Sequence, residues 1–278
     1  MRLAGTINEQ FETPQAWATA HRQAGYGAVV APVGPEASDA TVASYVEAAR
    51  SADIVIAEVG AWSNPIDPDP AKAAKAMENC RLHLDLAERL GARCCVNIAG
   101  SLNPEKWDGP HAENFSKDTF DVIVQSVREI VDAVKPRRTF YTLETMPWIF
   151  PSSPDEYLAL LRAIDRPCFG VHLDPVNMIN SPARAYRTGE FIRECFAKLG
   201  PFIRSCHAKD IILRNNLTVH LDECRPGTGI LDFATYLLEL DKLDPDTSLR
   251  LEHIPAAEYP VAAAHLHEVA RQNNLTFL

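Results

Sequence analysis

The chain has 278 residues, 46% of them hydrophobic, and a formal charge of -10. Such a length and composition allow a large buried core, in one big α/β barrel or in two smaller domains. The charge argues against nucleic acid or an anionic membrane as the main partner, because both need a basic surface to replace counterions, so a small molecule is the expected ligand.

The start, Met-Arg-Leu-Ala-Gly-Thr-Ile-Asn-Glu, lacks the charged stretch and long apolar run of a secretory signal. No later segment is long and apolar enough to span a bilayer, and the expectation is a soluble, cytoplasmic protein. Seven cysteines (Cys80, Cys94, Cys95, Cys168, Cys195, Cys206, Cys224) are an odd number without Cys-x-x-Cys spacing. That usage suits buried free thiols in a reducing compartment.

In chain order, the first apolar, β-branched run covers 2–7 and is followed by Thr13-Pro14, a cap oxygen before a proline at the first helical position, with Gly25 at the expected helix end. Runs at 28–33 and 54–62 follow, then a long loop at 62–71 and a helix that Gly91 should close. The fourth run, 94–100, leads into a second long loop at 101–112. Phe120, Ile123, Val127, Ile130 and Val134 then mark one helical face before the fifth run at 139–146. Ser153-Pro154 opens the next helix, Glu156 is spaced for a capping box with Ser153, and Tyr157, Leu160, Leu161 and Ile164 form its stripe. A sixth run at 169–176 precedes the stripe Ile192, Cys195, Phe196, Leu199, which Gly200 should end. The seventh run is 203–210, the stripe Phe233, Tyr236, Leu237, Leu240 comes next, and the eighth run is 248–254. Eight strand-helix units with no linker between them predict a (β/α)8 TIM barrel as a single domain over 1–278, with a doubly wound open sheet as the alternative.

Four runs end in residues a divalent metal accepts: Glu144, Asp174, His207 and Glu252, with gaps of 30, 33 and 45 residues, close to one strand-helix unit each. In a barrel these four occupy the C-terminal ends of the fifth to eighth strands, which are neighbours. A buried carboxylate there costs several kcal/mol unless something compensates it. Taken singly, each has an ordinary explanation: Glu144 as a salt-bridge partner, Asp174 as the cap of a turn before Pro175, His207 as a satisfied core histidine. Taken together, three carboxylates and an imidazole suit Mn²⁺, with Mg²⁺ and Co²⁺ as alternatives, better than a thiolate-seeking structural zinc.

The run from Glu144 through Asp174 and His-Ala-Lys-Asp (His207 to Asp210) to Glu252, with Pro-Gly-Thr-Gly (Pro226 to Gly229) between, resembles the xylose-isomerase-like TIM barrels. That group includes D-tagatose and D-psicose 3-epimerases, hydroxypyruvate isomerase, inosose dehydratase and endonuclease IV. The resemblance implies that Glu144, Asp174, His207 and Glu252 bind one divalent metal, that Glu144 and Glu252 act as acid and base about the substrate, and that the chain forms a homo-oligomer. Chemically, proton loss next to a carbonyl gives an enediolate that a metal stabilises, and two carboxylates on opposite faces permit removal from one side and return from the other. Which glutamate is the base is left open. Two departures, Asn177 in place of the epimerases' histidine and Phe150 in place of their glutamate, argue against a free ketohexose, and Lys209 resembles the motif of inosose dehydratase.

Four further residues are expected at the substrate. His172 shares a strand face with Asp174, and Lys209 shares one with His207. Arg225 could meet a substrate carboxylate or phosphate, or only an acidic neighbour, and Trp148 offers an indole face to a sugar ring. The glycines after Arg225 would let backbone amides approach a ligand oxygen or simply make a tight turn. His253 alternates away from Glu252 and is expected to face the helices.

The sequence therefore predicts a metal-dependent epimerase or isomerase of a keto-sugar or polyol-derived small molecule. The runner-up is a lyase of the same family, dehydratase-like or C-glycoside deglycosidase-like, in which proton loss is followed by expulsion of a β-substituent. A sugar-binding barrel without catalysis is the reading from another class. A nuclease like endonuclease IV would need a basic groove and more metal ligands than this chain offers.

Overall fold

In the computed structural model, which describes residues 1–278, eight parallel strands close into a barrel: β1 (Arg2–Ala4), β2 (Ala28–Val30), β3 (Val55–Gly60), β4 (Cys94–Asn97), β5 (Phe140–Glu144), β6 (Phe169–Leu173), β7 (Ile203–Ala208) and β10 (Ser248–Leu251). Two more strands, β8 (Asp210–Leu213) and β9 (Leu221–Cys224), form an antiparallel hairpin between β7 and β10 in the chain. The helices are α1 (Pro14–Gln23), α2 (Asp39–Ser51), α3 (Pro70–Leu90), α4 (Lys117–Val134), α5 (Pro154–Ile164), α6 (Pro182–Ala185), α7 (Thr188–Leu199), α8 (Phe233–Leu240) and α9 (Tyr259–Gln272). Closure comes from β1, which pairs with β2 on one side and β10 on the other, Arg2 lying opposite Ser248. An open doubly wound sheet is thereby excluded.

The elements form where local chemistry favours them. β4 (Cys-Cys-Val-Asn) is buried throughout, as parallel strands covered on both faces are. α4 turns Ile123, Val127 and Ile130 inward, all three buried. Thr13 Oγ1 accepts the amide of Ala16 at 3.1 Å and Ser153 Oγ that of Glu156 at 3.2 Å, each just before a proline. The reciprocal half of the expected capping box shifts by one residue, since Glu156 Oε2 accepts the amide and hydroxyl of Ser152 at 2.8 and 2.9 Å. Gly25 and Gly91 end α1 and α3 with φ of +83° and +65°. Gly200 instead keeps a right-handed φ of -43° and passes α7 into a short 3₁₀ turn.

Strand ends differ from the apolar runs in a way that matters for the site. β5 stops at Glu144, β6 at Leu173 and β10 at Leu251, two to three residues before the runs do. Several of the residues beyond stay buried, as Thr145 and Val176 do, while His253 is exposed, and all of them leave the ladder for the C-terminal loops. Asp174 and Glu252 thus occupy the first loop position after their strands, where a barrel builds its binding face.

The β8–β9 hairpin has no counterpart in the sequence reading. Ile211 and Ile212 extend the apolar run of β7, and in Leu221–Cys224 the middle pair, Asp222 and Glu223, is polar and exposed. The first residue of the hairpin is the buried Asp210, whose carboxylate accepts the amides of Ile211, Gly227, Gly229 and Leu231 at 2.8 to 3.0 Å. Gly227 has φ +91°, and a Cβ on Gly229 would lie 2.3 Å from Asp210 Oδ1, so both positions require glycine.

Candidate metal centre and active site

β5, β6, β7 and β10 are consecutive around the barrel and bring Glu144, Asp174, His207 and Glu252 together at its C-terminal end. One ligand atom from each lies within 4.8 Å of the others, and all four residues are buried. His207 Nδ1 faces the three carboxylates, at 3.0 Å from Glu144 Oε1, 2.9 Å from Glu252 Oε2 and 4.0 Å from Asp174 Oδ2. Buried tyrosines pin the strands that carry them. Tyr157 donates to Leu143 O at 2.6 Å, and Tyr236 donates to His207 O at 3.0 Å.

Lys209 is also buried, and its ammonium lies 3.3 Å from Glu144 Oε1, 2.9 Å from Asp174 Oδ2 and 3.0 Å from Glu252 Oε2. Burial alone would raise the glutamates' pKa values, but the charges of His207 and Lys209 outweigh it and hold both carboxyls well below the usual range. Asp174 goes the other way, pushed up to about 6 chiefly by burial. Burial would lower His207, yet the surrounding carboxylates raise it well above an ordinary imidazole.

The donor set fits a hard divalent cation. Asp174 Oδ2 and Glu252 Oε2 are buried oxygens whose close polar neighbours are the Lys209 ammonium, 2.9 and 3.0 Å away, and, for Glu252, His207 Nδ1 at 2.9 Å. Three carboxylates and an imidazole nitrogen converging within 4.8 Å are the mostly oxygen donor set that such a cation takes. A second group, Glu58, His172 and His207, also has ligand-type atoms within 4.8 Å. That group offers one carboxylate against three in the first, and so is the poorer seat for a hard cation.

A cavity of about 380 Å³ opens over the centre, and Glu144, Glu252, Lys209, Asn177 and Trp148 are among the residues lining it. Trp148 donates Nε1–H to Asp108 O at 2.6 Å, which fixes its indole. Trp62 and Trp107, both 41% exposed, line the same cavity. Asn177 donates to Glu144 Oε1 at 3.2 Å and to Thr145 O at 3.0 Å, so it orients a carboxylate. His172 is elsewhere: its ring is sealed behind His207, 4.0 Å between centroids, and burial first, then the neighbouring His207 charge, lowers its pKa to about 4. Arg225 pairs with Glu258 at 2.8 Å and does not line the cavity. The amides of Gly227 and Gly229 are taken by Asp210 rather than left for a ligand.

Several residues at the site escaped the sequence reading. His253 was expected to face the helices, but β10 ends two residues earlier and His253 adopts φ +54°, which turns its ring into the cavity mouth. It lies 3.3 Å from Glu223 Oε2 and 3.6 Å from Glu252 Oε2. Arg250 donates to Glu252 Oε1 at 2.9 Å. Glu58 on β3 sits beneath His207, and the signal was available: an acidic residue interrupting the apolar run Val-Ile-Ala-Glu-Val, the same feature that singled out Glu144.

A family model described as xylose isomerase-like TIM barrel matches residues 18–270, and the chain belongs to that family. Solved structures of similar fold include the probable 3-DHS dehydratase AsbF from Bacillus anthracis, 17% identical with a TM-score of 0.70 over 96% of this chain and 97% of that one. A D-psicose 3-epimerase from Clostridium cellulolyticum H10 is 16% identical with a TM-score of 0.67, covering 99% of this chain and 98% of that one. A xylose isomerase-like TIM barrel protein from Mycobacterium smegmatis, in complex with magnesium, is 16% identical with a TM-score of 0.67, covering 96% and 94%. At such identities these likenesses speak for the fold. Comparison with curated proteins gives no match.

Proposed function

We propose that this protein is a divalent-metal-dependent enzyme that moves a proton next to the carbonyl of a keto-sugar or polyol-derived substrate, as an epimerase or isomerase. The observation that carries the reading is a division within the four ligand-type residues. Glu144 and Glu252, 5% and 7% exposed, line the cavity, whereas Asp174 and His207 are fully buried and do not. Two carboxylates therefore reach substrate and two groups are restricted to ligation.

A divalent ion held by Glu144, Asp174, His207 and Glu252, Mn²⁺ above all, would polarise the substrate carbonyl and acidify the neighbouring C–H. The chain supplies the proton movements. Glu144 and Glu252 both line the cavity, so either can accept a proton from carbon, the C–H bonding pair moving toward the carbonyl to give an enediolate. Return of a proton from the other face needs the second carboxyl loaded with one. His253, half-exposed at the cavity mouth and 3.6 Å from Glu252 Oε2, is placed to pass it from solvent. Lys209, at the cavity floor, places an ammonium where negative charge develops. The tryptophans offer apolar faces to a ring, and the size of the cavity suits a small molecule.

A second reading, a lyase of the same family, is favoured by the His253–Glu223 pair, 3.3 Å apart at the mouth. A proton donor there could protonate a departing β-oxygen after the same initial abstraction. The test is to incubate the Mn²⁺-loaded protein with ketoses, inososes and 3-keto-glycosides in D₂O. Deuterium at the carbon beside the carbonyl, without elimination, supports the first reading, and elimination supports the second. No exchange across the panel, with the wild type and Glu144→Gln indistinguishable, sinks both.

A further inference from the structure

The two ring nitrogens of His207 face two different clusters. Nδ1 points to the metal-type carboxylates, and Nε2 lies 3.5 Å from Glu58 Oε2 and 3.4 Å from Arg250 Nη1. Resting on the metal reading above, we infer that Glu58 is the positioning residue of the centre: it captures the Nε2–H of His207 and so presents the Nδ1 lone pair to the metal.

A neutral imidazole carries one N–H and one lone pair, and the partner of one nitrogen decides the role of the other. The two neighbours of Nε2 make opposite demands. A carboxylate only accepts and selects N–H at Nε2. A guanidinium only donates and selects the lone pair there, which would put the proton on Nδ1 and abolish ligation. Two observations favour Glu58. Arg250 Nη1 is already committed to Glu252 Oε1 at 2.9 Å, a shorter bond to a charged acceptor. Glu58 is fully buried and is kept an acceptor by its own surroundings, with the Ser205 hydroxyl donating to Oε1, Arg250 3.8 Å from Oε2 and His172 Nδ1 3.9 Å from Oε1. Ser205 is itself within 3.1 Å of Ser248 Oγ, so the carboxylate is supported from β7 and β10 as well as held by β3. His172, at an interplanar angle of 74° to His207, fixes the plane of the ring from its edge. The result is the carboxylate–histidine–metal arrangement by which outer partners orient a ligand.

The inference can be tested without turnover. In protein labelled with ¹⁵N-histidine and loaded with diamagnetic Mg²⁺, His207 should carry its single ring proton on Nε2; a proton on Nδ1 overturns the inference. Equilibrium dialysis of Mn²⁺ against wild type, Glu58→Gln and His207→Ala gives a second readout. Glu58→Gln keeps the shape but can donate, so Mn²⁺ affinity should fall about 10- to 100-fold while the melting transition stays cooperative. Glu58→Gln within twofold of wild type, with His207→Ala losing the ion, overturns this inference and leaves the metal reading standing. A wild type that takes up no Mn²⁺ overturns both.

Discussion

The two ends of the barrel use their charged side chains differently. At the N-terminal end, Arg2 pairs with Asp53 and Asp246, and Arg93 with Asp244, every acidic partner being at least 42% exposed. The acidic partners keep their water even where the cation, as with Arg2, is buried, which limits what each pair adds to stability. At the C-terminal end Glu144, Asp174, His207, Lys209 and Glu252 are all buried, where separating any one from its partners exposes an uncompensated charge. A constellation so costly to assemble marks the end of the barrel at which chemistry is placed.

The sharpest way to break this contrast is to neutralise one carboxylate that lines the cavity. Glu144→Gln or Glu252→Gln should slow substrate deuterium exchange about 10²- to 10⁴-fold, the usual share of general acid–base catalysis, as read by mass spectrometry in D₂O. Next in size, His207→Ala leaves three carboxylates with Lys209 as their nearest cation. In metal-free protein it should cost about 3 to 5 kcal/mol of stability by urea denaturation, the penalty for breaking a buried ionic group.

Acid sharpens the comparison further. His172 is fully buried and its pKa is lowered to about 4 from 6.5, so the fold favours its neutral form. Because the folded value is depressed, this contribution is present above the unfolded pKa of 6.5 and is lost as pH falls toward 4, at most roughly 3 kcal/mol. Asp174, raised to about 6, has the opposite sign, its protonated form being favoured by the fold. Urea midpoints at pH 7 and pH 4.5 should therefore fall less on acidification for His172→Asn than for wild type, and equal slopes would contradict the assignment. The smallest effect belongs to the other end: Arg93→Ala, which removes the 3.1 Å pair with Asp244, should change stability by less than about 1 kcal/mol.

Much of this contrast was legible in the amino-acid sequence. The alternation of apolar runs with helical stripes gave the barrel because each run is buried on both faces and each stripe packs on the sheet. The spacing of Glu144, Asp174, His207 and Glu252 was readable for the same reason, since strand-helix units of similar length return the chain to the same rim. What was not readable depended on where side chains turn once they leave the ladder. His253 reaches the cavity through a left-handed backbone, and Arg225 leaves it for Glu258 on a neighbouring segment. His172 does point into the barrel, as its alternation with Asp174 required, but the barrel interior at that level is filled by Glu58, His207 and Ser205, so the ring meets protein instead of ligand. Glu58 lies inside its strand rather than at its end, and only barrel closure brings His207 and Arg250, from β7 and β10, to its carboxylate.

The four amides gathered by Asp210 have a consequence for how this family member can vary. Three of them, from Gly227, Gly229 and Leu231, clamp the root of the β8–β9 hairpin to that segment, so Glu223, near the end of β9, is fixed from below rather than from the hairpin tip. The tip, where Leu217 is fully exposed, bears none of that load. A longer or altered tip should therefore leave the geometry around Glu252 and His253 in place.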